Sequence, residues 1–234
     1  RAMQPVNKAF VQEFALPASD PMAIEGKNYE IIYEDSAMVM LEKHDGELLN
    51  KFPLEWSLGG KNVFTFLVAL DKGRYQTIPL AYDMNRQTWF NYPESAIRHF
   101  VDMEVEDQAL PWRDRNFTFN TACYNCHVSQ VSSNFDLASE TYQTTWKEAG
   151  INCETCHGPS AEHVRVCREA EARGEEPEDL KIIMTSTFTP EEHNSSCATC
   201  HAKGSPITQH YVPPEPYFDH FNLATLEDPD FYPD

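Results

Sequence analysis

The chain has 234 residues, with 18 Lys and Arg against 37 Asp and Glu, a formal charge of −19 and a sequence pI near 4.7. That length holds one domain or two small ones; the acidity excludes a protein that grips nucleic-acid phosphates through Lys and Arg, and the longest strongly apolar run, 63–70, is far too short to span a bilayer. Nine Gly and 12% aromatic residues exclude collagen-like and disordered classes.

Residues 1–93 read as a β-rich scaffold. Segments 29–34 and 37–43 carry β-branched and aromatic residues, and Asp45-Gly46 is a hairpin signal ahead of 47–50. Segments 63–70 and 75–82 flank a turn at 71–74, and 87–92 follows as a third strand, so a small antiparallel meander is expected. From Pro93 onward, short helices joined by loops are expected across 94–234. One helix is predicted over 160–173, closed by Gly174, with 175–179 as a solvated acidic loop. Thr189, Pro190 and Glu192 combine an N-cap, a proline at the first helical position and a capping-box Glu, which predicts a helix over 190–201. Residues 211–234 contain no Lys or Arg and are rich in Pro and aromatics. Tyr217, Phe218, Phe221, Phe231 and Tyr232 are too many apolar rings to leave in water, so this segment is expected to wrap the domain as extended chain.

Six of the seven cysteines fall into three pairs of C-x-x-C spacing, each followed at once by His: Cys123, Cys126 and His127; Cys153, Cys156 and His157; Cys197, Cys200 and His201. This is the c-type haem attachment pattern. On one helical turn, residues i, i+3 and i+4 share a face, so two sulfurs can reach the two vinyl groups at a porphyrin edge while the His ring reaches the iron. Structural zinc is the bland alternative, with two C-x-x-C pairs forming a four-sulfur tetrahedron. The first two pairs lie 26 residues apart, the third has no partner pair, and zinc gives no role to a His after every pair. Thioredoxin-like redox pairs likewise leave the His unexplained. Three covalent haems c are therefore expected. The fold expectation is α+β, with a small antiparallel β region followed by a mainly α, loop-rich region whose core is built around haems.

Each iron has a second axial position, and six further His could fill it: His44, His99, His163, His193, His210 and His220. His193 lies one turn before Cys197 on the same predicted helix and is poorly placed for that haem, though free to serve a neighbour. His163 follows His157 across Gly158-Pro159 at the start of a new helix and is expected to face a different haem. His99, His193 and His220 complete the favoured set. His44, beside the Asp45-Gly46 turn, is disfavoured, as are Met103 and Met184. Cys167, four residues after His163, is expected to be a buried free thiol.

The stretch from Cys123 to Val164, CYNCHVSQVSSNFDLASETYQTTWKEAGINCETCHGPSAEHV, resembles the extracytoplasmic multihaem cytochromes c of the cytochrome c554-like group, including members that continue into tetratricopeptide repeats. The resemblance runs from Ala2-Met-Gln-Pro5 to the segment around Phe221. It implies that His127, His157 and His201 are proximal ligands and that His163 is a distal ligand of another haem; it favours His220 and His193 more weakly. It also implies an internal fragment, with further haem segments before and after this chain. Many relatives carry His-Trp about eleven residues before the first Cys, where this chain has Pro111-Trp112; His99 could take that role, or one iron could lack the ligand.

The expected function is electron transfer along closely spaced, mostly bis-His haems, with other redox proteins or multihaem cytochromes as partners and a periplasmic or extracellular location. The alternative is a multihaem oxidoreductase with one open iron acting on a small nitrogen or sulfur compound. No nucleic acid and no membrane span are expected in this segment.

Overall fold

The computed structural model describes residues 2–95, 108–208, 211–225 and 227. His99, His210, Met103, Phe231 and Tyr232 lie outside the described residues. The fold is mixed α+β, with sheets early in the chain and more helices later. No helix among the described residues is long and apolar enough to cross a membrane.

The chain divides into two compact units, one formed by Arg1–Val128 with Ser133–Thr145, the other by Ser129–Ser132 with Trp146–Asp234. The first unit thus extends well past residue 93 and includes the first C-x-x-C-H motif. It opens with β1 (Met3–Pro5) and α1 (Lys8–Phe14), the latter capped by Asn7, whose Oδ1 accepts from the backbone of Ala9 and Phe10. An antiparallel sheet follows from β2 (Met22–Ile24), β3 (Lys27–Glu34), β4 (Ala37–His44) and β5 (Glu47–Pro53), adjacent in chain order. The three tight turns between them, Glu25-Gly26, Asp35-Ser36 and Asp45-Gly46, each have two successive residues at positive φ. That turn geometry matches the right-handed strand twist and closes two-residue hairpins.

A second sheet has the order β1, β6 (Trp56–Gly59), β7 (Val63–Ala69), β9 (Leu80–Asp83), β10 (Thr88–Asn91), with β8 (Tyr75–Thr77) also paired to β7. The single strand expected over 75–82 is therefore two short ones. Pro79 between them has no N–H to give a ladder.

Both sheets contribute to one core: Tyr29, Ile31, Met38 and Met40 from the first, Phe64, Phe66, Val68, Leu80, Tyr82 and Trp89 from the second, with Phe10 and Trp112. Its rings meet mostly edge-on, Phe10 against Phe64 at 5.4 Å and Tyr82 against Trp89 at 5.2 Å between centroids, an arrangement favoured by the aromatic quadrupole.

One charge is buried beside that core. Glu42 on β4 is fully buried and accepts from Lys27 Nζ (2.6 Å), Asn50 Nδ2 (2.6 Å), Arg113 (2.9 Å) and Tyr29 OH (3.1 Å). Burial alone would raise its carboxyl, but Lys27, Asn50 and Arg113 outweigh it and hold the group down at about 2. Burial pushes the Tyr29 phenol up to about 12, opposed by the hydrogen bond from Trp112.

The second unit carries α4 (Cys153–His157), α5 (Ala161–Arg173), α6 (Pro190–His201) and α7 (Tyr217–His220), numbered after α2 (Tyr92–Ser95) and α3 (Tyr124–His127) of the first. Gly174, at φ 67°, ends α5 as expected, its N–H bonded back to Ala170 and Glu171. The C-terminal wrapper is not wholly extended. Tyr217–His220 forms a helical turn, and Phe221–Leu223 pairs with Gly204–Pro206. Tyr217 and Phe221 are buried and stacked at 5.0 Å, but Phe218 is 70% exposed.

Candidate haem-attachment sites

The first motif is delivered by a segment clamped to the sheet. Gln76, buried on β8, donates to the carbonyls of Trp112 (2.6 Å) and Asp114 (3.0 Å) and accepts from Thr118 Oγ1 (2.8 Å). Asn120 Oδ1 accepts from Tyr75 N (2.7 Å), and its amide donates to Thr144 Oγ1 (2.9 Å). Beyond this clamp a π-type turn, Phe119–Cys123, runs into α3, which places Cys126 and His127 on the turn after Cys123. Burial pushes the Cys123 thiol up to about 11. The ring of His127 points Nδ1 at Ala2 O, 2.6 Å away.

The second motif is α4 itself. Asn152 caps it, Oδ1 accepting from Thr155 N at 3.2 Å, and is held in turn by Ser129 Oγ, which accepts from Asn152 N (3.1 Å) and donates to Gly150 O (2.8 Å). His157 Nδ1 lies 2.8 Å from Ile183 O. The third motif occupies the last turns of α6, whose N-terminus shows the expected capping box: Thr189 Oγ1 accepts from Glu192 N (3.3 Å) and Glu192 Oε2 from Thr189 N (2.7 Å). The second and third motifs are neighbours inside their unit. Burial raises the Cys156 thiol, and the sulfurs of Cys200 and Cys197 add to the shift.

These residues fit a covalently held haem. Each motif carries its two thiols and its imidazole along a helical turn, and all seven cysteines are free thiols. A carbonyl only accepts, so the nitrogen facing it must carry the proton. His127 and His157 are thereby fixed with Nε2 as the lone-pair nitrogen that a metal requires.

A family model described as cytochrome c554 and c-prime matches residues 86–158. That is about a third of the chain and takes in the first two motifs but not the third, so this stretch is similar to a family of cytochromes. No curated protein and no solved structure matches the chain.

The histidines expected at the opposite iron faces differ in setting. His163 on α5 turns Nδ1 to Leu180 O (2.6 Å), the same arrangement as His127 and His157. His193 is exposed on α6, its ring 5.4 Å from that of Phe188. His220 has both nitrogens engaged, Nδ1 with Thr208 Oγ1 at 2.6 Å and Nε2 with Glu215 Oε2 at 2.9 Å, so it can offer a lone pair to a metal only by releasing one of these partners. His44 also points Nδ1 at a carbonyl, Gly26 O at 3.0 Å, but its Nε2 lies 3.6 Å from Asp45. Cys167 is half-buried, with Sγ 3.7 Å from His163 Nδ1.

The sequence reading did not find the groups that orient these rings. Ala2, Leu180 and Ile183 act through backbone carbonyls, which leave no side-chain signature. Gln76 and Asn120, which clamp the segment ahead of the first motif, do so through partners distant in sequence.

Proposed function

We propose that this chain is a multihaem c-type cytochrome segment that passes electrons between closely spaced haems. The single observation that carries the reading is the threefold recurrence of two thiols and an imidazole along continuous helical backbone, with the carbonyl at Nδ1 of His127 and His157 leaving Nε2 for a metal. Cys123, Cys126, Cys153, Cys156, Cys197 and Cys200 would hold three haems through thioether bonds, with His127, His157 and His201 as proximal ligands. His163 is the best-placed distal ligand; His99, His193 and His220 complete the pool, and one of these side chains could serve a haem attached to a neighbouring segment or subunit.

Haem iron supplies one-electron chemistry over a range of potentials set by its axial ligands, burial and nearby charge. The protein's part is orientation and tuning. Helical cysteine pairs fix the porphyrin edge, the carbonyls behind the imidazoles raise their donor strength, and the surplus of 19 negative charges favours the oxidised iron and attracts positively charged redox partners. Because c-type haem is attached outside the cytoplasm, the reading places the protein in the periplasm or on the cell surface.

A denatured mass measurement tests this directly: three covalent haem masses per chain are expected. In low-temperature electron paramagnetic resonance, all haems should be low-spin ferric. A high-spin signal that responds to nitrite or hydroxylamine would replace the carrier with the oxidoreductase, and a colourless chain would end the haem reading.

A further inference from the structure

The segment 179–184 touches two imidazoles at once. Ile183 docks on the second motif in three ways. Its N–H donates to His157 O (3.2 Å), its carbonyl accepts from His157 Nδ1 (2.8 Å), and its side chain rests on Gly158, where an added Cβ would come within 2.6 Å of Ile183 Cδ1. Three residues earlier, Leu180 O accepts from His163 Nδ1 at 2.6 Å.

The turn that spaces these two carbonyls is itself fixed. Lys181 sits at φ 50°, its N–H donates to Asp179 Oδ1 (2.9 Å), and its ammonium reaches Asp179 Oδ2 (2.7 Å). On the other flank, Glu154, inside the second C-x-x-C, accepts from the N–H (2.8 Å) and hydroxyl (2.6 Å) of Ser160, the residue that opens α5. The helical turn bearing His157 and the helix bearing His163 are therefore tied together at Glu154 and again at 179–184.

We propose that 179–184 is a positioning strap shared by two iron ligands. It holds His157 and His163 in one tautomer, with Nε2 as the lone-pair nitrogen, that of His163 facing the Cys167 thiol at 3.9 Å, and strengthens both as donors through the same short piece of backbone. The potentials of two haems are then set together by a segment that contributes no ligand of its own. The inference rests on the haem reading above and goes beyond it by naming a shared control element.

The test uses the intact haem-loaded protein. Lys181→Pro cannot adopt φ 50° and has no N–H for Asp179, so it should displace Leu180 O and loosen Ile183 O; Asp179→Ala is the milder second variant. Lys181→Gly keeps both the backbone conformation and the N–H and serves as the control. Weaker donation disfavours ferric iron, so the Lys181→Pro variant should raise two haem potentials together. A tenfold loss of preference for ferric over ferrous iron at each haem is the expected size, about 59 mV for a one-electron couple. The g-values of the same two low-spin haems should shift, Asp179→Ala should move both in the same direction by less, and Lys181→Gly should leave them in place. A rise confined to one haem or to none, with haem content and helical circular dichroism intact, overturns the shared strap and leaves the haem reading standing. A wild-type chain with no covalent haem mass overturns the haem reading and the strap with it.

Discussion

In the first unit, Phe64, Phe66, Trp89 and Trp112 fill the space where side chains of two sheets meet, and its central strands hold residues with no exposed surface at all, among them Met40, Leu67 and Val68. In the second, among the described residues, the buried hydrophobic side chains are Ala170, Tyr217 and Phe221, while Ile151, Val164, Leu180, Met184, Ile207 and Phe218 are 38–70% exposed. A unit of that size cannot offset its chain entropy with so little apolar burial. Small domains of this kind rely on covalent or prosthetic staples, and the second unit carries two of the three haem-attachment motifs. The difference teaches that one half of the molecule is specified by its own side chains, while the other has little apolar core of its own and, on the proposed function, would be completed by the group its cysteines would hold.

The largest expected effect follows from that contrast. In a chain produced without haem attachment, the first unit should keep slow hydrogen exchange in β3, β4 and β7, and the second should lose protection throughout α5 and α6. Hydrogen-exchange mass spectrometry of the haem-free and haem-loaded chains measures this; protection retained in α5 and α6 without haem would break the comparison.

Within the first unit, Trp112→Ala should cost about 3–5 kcal/mol. It empties a fully buried site, removes the indole N–H from Tyr29 OH (3.1 Å) and deprives the Arg113 guanidinium of the ring it covers at 4.6 Å. Urea unfolding followed by tryptophan fluorescence should show the loss, and an equal loss in the second unit would mean that the two are not independently specified.

Glu42 sharpens the same point through pH. Its carboxyl is held at about 2 in the folded chain against an ordinary 4.5, so its stabilisation is complete above pH 4.5 and is lost as pH falls from there through 2. Glu42→Gln should cost about 1.5–3 kcal/mol at neutral pH, the range for hydrogen bonds to a charged group. It should also flatten the acid limb of a stability profile measured by urea unfolding between pH 5 and 2. An unchanged acid limb would place the charge that matters elsewhere.

Legibility in the sequence followed the same division. Hairpins around Asp45-Gly46 and along 63–92 were readable because alternating apolar residues and turn signals are local, and the strands expected over 29–34 and 37–43 already left the break at Asp35-Ser36, although that turn reaches positive φ without glycine. α1 escaped notice because seven residues give barely two turns of pattern, and β1 and β6 because three- and four-residue strands are defined by partners distant in sequence. The three C-x-x-C-H motifs were legible as local spacing. What separates His163 from His220 could not be read, because it is the partner of each nitrogen, Leu180 O for His163 and Thr208 with Glu215 for His220, and none of these is set by spacing.

The smallest expected effect tests how far local rules still matter in the second unit. Thr189 and Glu192 form the reciprocal cap that starts α6, and removing an N-cap hydroxyl costs about 1 kcal/mol when the helix end must satisfy its own N–H groups. In the haem-loaded protein, Cys197, Cys200 and His201 would anchor the opposite end of the same helix. Thr189→Ala should therefore fray the first turn without loosening the motif. Amide exchange should quicken at 191–193, while that at 198–201 and the haem absorption spectrum stay unchanged. If the fraying instead reaches Cys197, the helix is held by its cap and not by its cysteines, and the contrast between the two units narrows to a difference of degree.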